Sequence, residues 1–366
     1  MMTYDVIIIG GGIAGLSAAA FLSETAKVAV LEAEPHLGYH STGRSAAIFI
    51  RNYGNDTLRA LNDVAAGFFE TDTCVLKDRV LSPRGELLIA KADELDAIDA
   101  YCDGATGLQR LVPQEACELV PILNSDSFAA AVFEQDAQDI DVDRLLQSYV
   151  SYLRAQQGQI FTDQRVQNIA KSDEIWTVST DQDSYQAPIL VNASGAWGDH
   201  IGEMAGLRPL GLQPYRRSAV IMAVPDTLDC KTWPLFGSIQ EDWYAKPDAG
   251  RLMISPADQD PVAAQDVYPD DMVLAEGLYR FEQATTLPVT RPLRSWAGLR
   301  SFLPDRTPAV GFDSVAPGFF WLIGQGGYGV QTSPALGKLT RDLIVSKQSQ
   351  IPDCAISALA PDRFFS

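Results

Sequence analysis

Cysteine is scarce in this chain. Cys74, Cys102, Cys117, Cys230 and Cys354 are five scattered residues in 366, with no Cys-x-x-Cys pair. That pattern argues against a zinc site and a disulfide framework, and fits a reducing compartment. Histidine is scarcer still, with only His36, His40 and His200. Basic residues are outnumbered, 28 Lys and Arg against 47 Asp and Glu, for a formal net charge of −19. Nucleic acid and anionic membranes would repel such a chain. A cationic small substrate would be weakly steered toward it, although the same charge equally makes an acidic solvated surface. No apolar run is long enough to span a bilayer. No charged segment leads into an apolar stretch at the N-terminus, so a secretory signal is not expected. These absences predict a cytoplasmic protein. Internal repeats and low-complexity segments are also missing. What remains is an ordinary globular composition, 46% hydrophobic, in a chain long enough to prefer two domains.

The first thirty-two residues carry the strongest pattern. Tyr4 to Ile9 is an apolar, β-branched run that ends in Gly10-Gly11-Gly12-Ile13-Ala14-Gly15. Helical spacing follows in Ile13, Leu16, Ala20 and Phe21, and a second strand, Lys27 to Leu31, stops at Glu32 and Ala33. This is a dinucleotide fingerprint. Gly10 allows the tight turn, Gly12 lets the backbone approach a pyrophosphate, and Gly15 lets helix and sheet pack closely. The helix N-terminus offers N–H groups and a positive dipole end to phosphates. Glu32 stands where an acid accepts from ribose hydroxyls and repels a 2′-phosphate, which disfavours NADP.

Three stretches read as one nucleotide-binding domain. After the N-terminal unit comes a helix pattern from Val142 to Gln157, strands at Gln159–Phe161 and Trp176–Val178, and a buried strand from Ala187 to Asn192. Near the C-terminus, Gly318 to Gly324 is a strand and Gln325 to Gly329 a glycine-rich loop. Thr332-Ser333-Pro334 then reads as the capped start of the last helix, with proline in the first turn. Between these parts lie two insertions, the second rich in β pattern with a Pro247-Asp248-Ala249-Gly250 turn. The predicted architecture is α/β (α+β overall). A discontinuous Rossmann-like FAD-binding domain covers 1–74, 141–207 and 301–366, and a sheet-rich substrate domain covers 75–140 and 208–300. The second glycine loop favours FAD, bound in extended form between both loops. A simple NAD enzyme needs one such loop, whereas a second helix N-terminus aimed at a flavin ring would stabilise its reduced, anionic edge.

Longer motifs then make the chain resemble a known family. Gly38 to Ala47, Val191 to Trp197 and Gly324 to Thr332 look like the FAD-dependent D-amino acid oxidase and dehydrogenase superfamily. Leu210 to Pro214, Arg216 to Ala219, Lys246 to Gly250 and Trp296 to Phe302 are most similar to the bacterial D-arginine dehydrogenases within it. The resemblance covers nearly the whole chain. It implies FAD, expected to be non-covalent because no cysteine or histidine stands at an attachment position near Arg300, held by Gly10, Gly12, Ile13, Ala14, Gly15, Glu32 and Ala33, by Thr42, Gly43, Arg44, Ser45, Ala46 and Ala47, and by Val166, Ala193, Gly195 and Trp197. Gly326, Gly327, Tyr328, Gly329, Val330, Gln331 and Thr332 complete that set. It also implies that Arg217 and Arg300 hold a substrate carboxylate, that Tyr53 and Tyr244 line the pocket, and that the Gly327 carbonyl accepts from the substrate amine. Glu86 would face a cationic side chain. One position departs from the family: Ile48 stands where the family has an active-site histidine.

The implied reaction is oxidative deamination of a D-amino acid, with a cationic or apolar side chain, by hydride transfer from Cα to flavin N5. The imino acid then hydrolyses to a 2-oxo acid and ammonia. Such chemistry rests on positioning, which a guanidinium pair provides through planar, bidentate bonds. Arg216 and Arg217 are adjacent on a strand and must point to opposite faces; taken alone, either fits a surface arginine. Tyr53 and Tyr244 fit packing aromatics equally well, Glu86 an exposed edge residue, and Arg44 a structural arginine. Two other functions stay open. One is oxidation of a secondary amine (an N-substituted glycine or opine) or of a 2-hydroxy acid, prompted by Ile48. The other is a non-autonomous FAD-binding electron-transfer subunit. The electron acceptor and the oligomeric state are not legible.

Overall fold

The structure, a computed structural model, describes residues 2–365. Its nucleotide-binding part is a six-stranded sheet ordered Gln159–Phe161, Val28–Leu31, Val6–Ile9, Ile189–Asn192, Phe319–Ile323 and Ala309–Phe312. All neighbours are parallel except the last pair, which is antiparallel. The central strands are buried on both faces, which is why they read as unbroken apolar runs rather than alternating ones. On one face, Ile13–Leu22, Asp56–Thr71, Val142–Ala155 and Gly329–Ile344 pack as helices. On the other lies a four-stranded sheet of Met2–Thr3, Ser184–Ala187, Ile175–Thr180 and Val166–Ser172.

Helix and strand meet closely at the first turn. Gly10 sits at φ +112°, and a Cβ there would stand 2.3 Å from the Ala193 carbonyl oxygen. A Cβ on Gly15 would reach the Gly10 oxygen at 2.0 Å. Both positions need glycine, as the fingerprint predicts.

The second large sheet has nine strands and carries both insertions. Its path runs Asp260–Pro261, Gln213–Met222, Arg251–Ser255, Tyr244–Asp248, Leu235–Ser238, Glu86–Ala90, Ala130–Glu134 and Leu108–Leu111. Arg294–Phe302 pairs along the Gln213–Met222 strand. The alternation of that strand separates two roles. Val220 and Met222 face the Asp271–Ala284 helix, with Leu274 and Phe281 in the same core. Arg217 and Ala219, one residue out of phase, face the nucleotide-binding sheet.

Three sequence expectations need correction. The Ala187–Asn192 run is not one strand: it breaks at Pro188, and its halves join different sheets. Proline has no N–H to keep a ladder running. The helix after the second glycine loop begins at Gly329, not at Thr332, and Pro334 lies inside it. The bond that Pro334 cannot make to the Val330 carbonyl is replaced by the Ser333 hydroxyl, which donates to that oxygen at 2.9 Å. This helix is also not the last one, since Asp353–Leu359 follows.

Candidate active site

Two cavities meet along the C-terminal ends of the parallel strands. The first, about 350 Å³, is lined by Gly10, Glu32, Ala33, Val166, Gly195, Trp197 and neighbours. The second, about 140 Å³, is lined by Ile13, Ala14, Arg44, Ser45, Ala46, the Gly324–Gly327 loop, Gly329, Val330 and the substrate-sheet residues Arg217, Tyr244 and Arg300. Gly12, Ser41, Thr42, Ala193, Gly195 and Ala196 belong to both linings. A single bound molecule can therefore run from one to the other past the N-terminus of the Ile13–Leu22 helix. The Thr42 hydroxyl accepts from the Ile13 N–H at 3.0 Å. Glu32 is tied down by two backbone donors, Gly11 N–H at 2.7 Å and Glu34 N–H at 2.8 Å. Burial nonetheless raises its pKa. These residues suit an extended FAD, with the ribose and pyrophosphate in the larger cavity and the ring system in the smaller one.

The smaller cavity ends in two arginines. Strand register puts Arg217 opposite Gly298, and Arg300 is two residues further on the same face, so the guanidiniums are diagonal neighbours. Arg217 donates through Nε to the Asp258 carbonyl at 2.9 Å, while its buried Nη2 has no hydrogen-bond partner among the described residues. Arg300 makes no ion pair among the described residues and lies over the Gly327 Cα. A Cβ there would stand 3.0 Å from its Nη1. Arg216, one residue back and on the other face, is by contrast bound to Asp260 and to Asp258. The Arg217 pKa is lowered, first by burial and then by the charge of Arg300. A buried orphan donor beside a second unneutralised cation defines an anion site.

Tyrosines surround this pair. Burial would raise the Tyr244 hydroxyl pKa, but Arg300 and Arg217 outweigh it and the net shift is downward. Tyr53 packs against Tyr328 with ring centroids 4.8 Å apart and the planes tilted by 54°, and its pKa is driven up by burial. Glu86 is no edge residue. Its strand lies between Leu235–Ser238 and Ala130–Glu134, the residue is 6% exposed, and its carboxyl accepts from the Tyr101 hydroxyl at 2.8 Å. Burial, then the facing Glu134, pushes its pKa to about 8. The carboxyl is thus mostly neutral at pH 7.

A stability prediction follows. The folded state holds the Glu86 proton up to about pH 8, whereas the unfolded chain releases it near the ordinary carboxyl value. Between those limits the folded state binds more protons, so this group lowers stability as pH rises. Glu86→Gln keeps an acceptor for Tyr101 and removes that titration. Its melting temperature relative to wild type should climb by several degrees from pH 5 to pH 9, measured by differential scanning fluorimetry; a pH-independent gap would contradict the neutral carboxyl.

Not every residue of the sequence-predicted set lines these cavities. Gly15 and Gly43 are packing positions, and the Gly43 N–H donates to the Gly38 carbonyl. Ala47 is buried at φ +48° and its carbonyl accepts from Ile140 N–H. Tyr328 and Thr332 face the protein interior, where Thr332 Oγ1 donates to the Tyr328 carbonyl. Gln331 bonds Asn62 and the backbone of Ile50 instead of a ligand. A helix cannot aim five consecutive residues at one ligand, which explains the excess. Ile48 pairs with Asp139 and lines neither cavity, and Tyr53 and Glu86 stand beyond their linings. The Arg44 guanidinium is held by Asp266, Val267 and Ala297 while its stem borders the ring-end cavity. Sequence reasoning missed Ala219 and Met253, which line the smaller cavity, and His40 and His200, which line the larger one. The i, i+2 spacing of Arg217 and Ala219 was the available signal for the first.

Residues 5–343 match the FAD dependent oxidoreductase (DAO) family. Among curated relatives, glycine oxidase of Bacillus subtilis is 22% identical over 94% of this chain and 94% of its own length. FAD-dependent oxidoreductase domain-containing protein 1 of Xenopus laevis is 23% identical over 93% of this chain and 79% of its own. Human mitochondrial dimethylglycine dehydrogenase is 22% identical over 98% of this chain, which spans 44% of that protein. Among solved structures, L-proline dehydrogenase from P. horikoshii superposes with a TM-score of 0.87 at 21% identity, covering 100% of this chain and 98% of the other.

Proposed function

Because the chain belongs to the FAD dependent oxidoreductase family, and so is an FAD-dependent oxidoreductase, we propose that its substrate is an α-amino acid, of D configuration, that it deaminates oxidatively. The D configuration rests on the motif resemblance. The observation that carries the rest is the unpartnered Arg217 Nη2 beside the unpaired Arg300 at the ring-end cavity. Two guanidiniums there bind a carboxylate in a fixed plane. With the carboxylate anchored, the Gly327 carbonyl accepts from the amine and the substrate is held in one register against the cofactor. FAD, when bound, supplies the hydride acceptor, and the imino acid left behind hydrolyses to a 2-oxo acid and ammonia. Tyr244 donates toward the carboxylate. In this reading the FAD-binding unit is 1–74, 141–207 and 301–366, and the substrate unit is 75–140 and 208–300.

A mostly neutral Glu86 makes a weak partner for a cationic side chain at pH 7. It supports a small or apolar side chain, and with Ile48 it also favours a second reading, a secondary amine such as an N-substituted glycine. Anaerobic mixing of the holoenzyme with D- and L-amino acids, N-alkyl glycines and 2-hydroxy acids separates these. D-amino acids should bleach the flavin absorbance fastest. Bleaching by N-alkyl glycines alone transfers the assignment to the secondary amine, and an oxidised flavin throughout rejects both. Turnover of an artificial dye by the purified chain would exclude a non-autonomous electron-transfer subunit.

A further inference from the structure

The strand that carries Arg217 faces an interrupted ladder. Val220 pairs with Ile254 and Arg216 with Asp260, so three residues, 217–219, stand opposite five, 255–259. The two extra residues form a bulge beside Arg217, and bulges next to active sites re-aim side chains. Buried partners fix this one. The carboxylate of Asp258, a residue 8% exposed, accepts from the Ser218 N–H at 2.6 Å and from the Ser218 hydroxyl at 2.8 Å. The Ser218 carbonyl accepts from the Ser255 hydroxyl at 2.6 Å, and that hydroxyl oxygen accepts from the Ala257 N–H at 3.1 Å. Ala257 is held at φ +52°, a left-handed conformation that persists in a residue with a Cβ only where its surroundings over-determine it. Pro256 is covered by the Asp271–Ala284 helix, where a Cβ on Gly277 would stand 2.3 Å from the Pro256 Cβ.

Asp258 treats the two adjacent arginines differently. Its carboxylate lies 3.4 Å from Arg216 Nε, whereas its main-chain carbonyl accepts from Arg217 Nε at 2.9 Å. A carboxylate on Arg217 would neutralise the charge that an anion needs. A carbonyl fixes the plane of the guanidinium and leaves that charge for a ligand. We propose that Asp258 is the positioning residue of the anion site: its carboxylate, clamped on Ser218, shapes the 255–259 bulge so that its own carbonyl aims the Arg217 guanidinium, still charged, into the ring-end cavity. This rests on the reading above that Arg217 and Arg300 bind a substrate carboxylate. Arg300 keeps its own hold on that group, so a misaimed Arg217 weakens capture of the carboxylate more than it slows the chemical step.

Asp258→Ala removes the clamp and keeps the main-chain carbonyl. Sodium propionate, a carboxylate with no amine or hydroxyl to oxidise, is titrated into the FAD-loaded enzyme by isothermal titration calorimetry. Its affinity should fall by about ten-fold in the variant, the scale of one misplaced bond to a charged group. Asp258→Asn, whose Oδ1 still accepts from the Ser218 N–H, should return to within about three-fold of wild type. When Arg217→Met is already present, Asp258→Ala should cost less than about two-fold, because no guanidinium is left to aim. Wild-type affinity in Asp258→Ala, or an equal fall with and without Arg217, overturns the proposal. Where Asp258→Ala does not fold, Ser218→Ala cuts the hydroxyl arm of the clamp and should weaken propionate by about three-fold; an unchanged affinity then overturns it. With a substrate from the anaerobic panel, the KM of Asp258→Ala should rise by about ten-fold while kcat falls by less than about three-fold, and a fall in kcat at unchanged KM also overturns it. A wild-type enzyme that binds no propionate overturns both this proposal and the carboxylate grip beneath it. Propionate affinities that behave as expected, in an enzyme whose flavin no panel member bleaches, reject the amino acid reading alone.

Discussion

Arg300→Met is expected to raise KM by about ten- to a hundred-fold, corresponding to the ~1.5–3 kcal/mol of a hydrogen bond to a charged group. Methionine keeps the length and apolar stem of the side chain, so the substitution removes charge and donors without opening a large hole. Among the described residues no ion pair to Arg300 would be broken. In the proposed reading the substrate carboxylate is the main interaction at stake. Loss of the charge also relieves Arg217, whose pKa its neighbour depresses. The variant should therefore fold at least as well as wild type and retain FAD. A smaller drop in kcat is expected, because the remaining arginine holds the carboxylate at one end only and the reacting carbon loses its register. Steady-state kinetics with the best panel substrate measure this. An unchanged KM would remove Arg300 from the site, and the anion site would need another explanation.

Gly10→Ala should prevent FAD binding almost completely. The backbone at Gly10 has φ +112°, and the new Cβ would lie 2.3 Å from the Ala193 oxygen and 2.8 Å from its carbonyl carbon. Both are main-chain atoms of the facing strand end, so no side-chain rotation relieves the contact. The strain of the backbone conformation alone is of the order of 1–3 kcal/mol. Relief requires the turn to move away from Ala193, which lines both cavities. The purified variant should be colourless, should not regain flavin absorbance with added FAD, and should melt lower than the wild-type apoprotein. A yellow, catalytically normal protein would show that the turn tolerates a side chain.

Much of this was legible in the sequence because it is local. The strand–glycine–helix–strand order, Glu32 at the end of the second strand and the second glycine loop all sit within short stretches whose geometry glycine and β-branching dictate. Opposite facing of Arg216 and Arg217 follows from strand alternation alone, and the structure gives Arg216 its acids and leaves Arg217 an orphan nitrogen. Errors arose where a motif was extended past its geometry. Gln331 and Thr332 follow the glycine loop in sequence, but the helix turns them into the interior. Glu86 begins an apolar run that reads as an edge, yet two strands cover it. The Asp258 contacts to Arg217 and Ser218 could not be read at all, because they join residues 41 and 40 positions apart.

By itself, then, the sequence determined the nucleotide-binding turn, the class of cofactor and the residue types available for a carboxylate. These depend on backbone conformations that a few neighbouring residues enforce. The tertiary structure alone decided which of those residues meet. Arg217 and Arg300 become neighbours through the pairing of Arg217 with Gly298, and Glu86 becomes neutral through burial against Glu134. Strand register and burial are set by packing between segments far apart in the chain, and no local pattern encodes them.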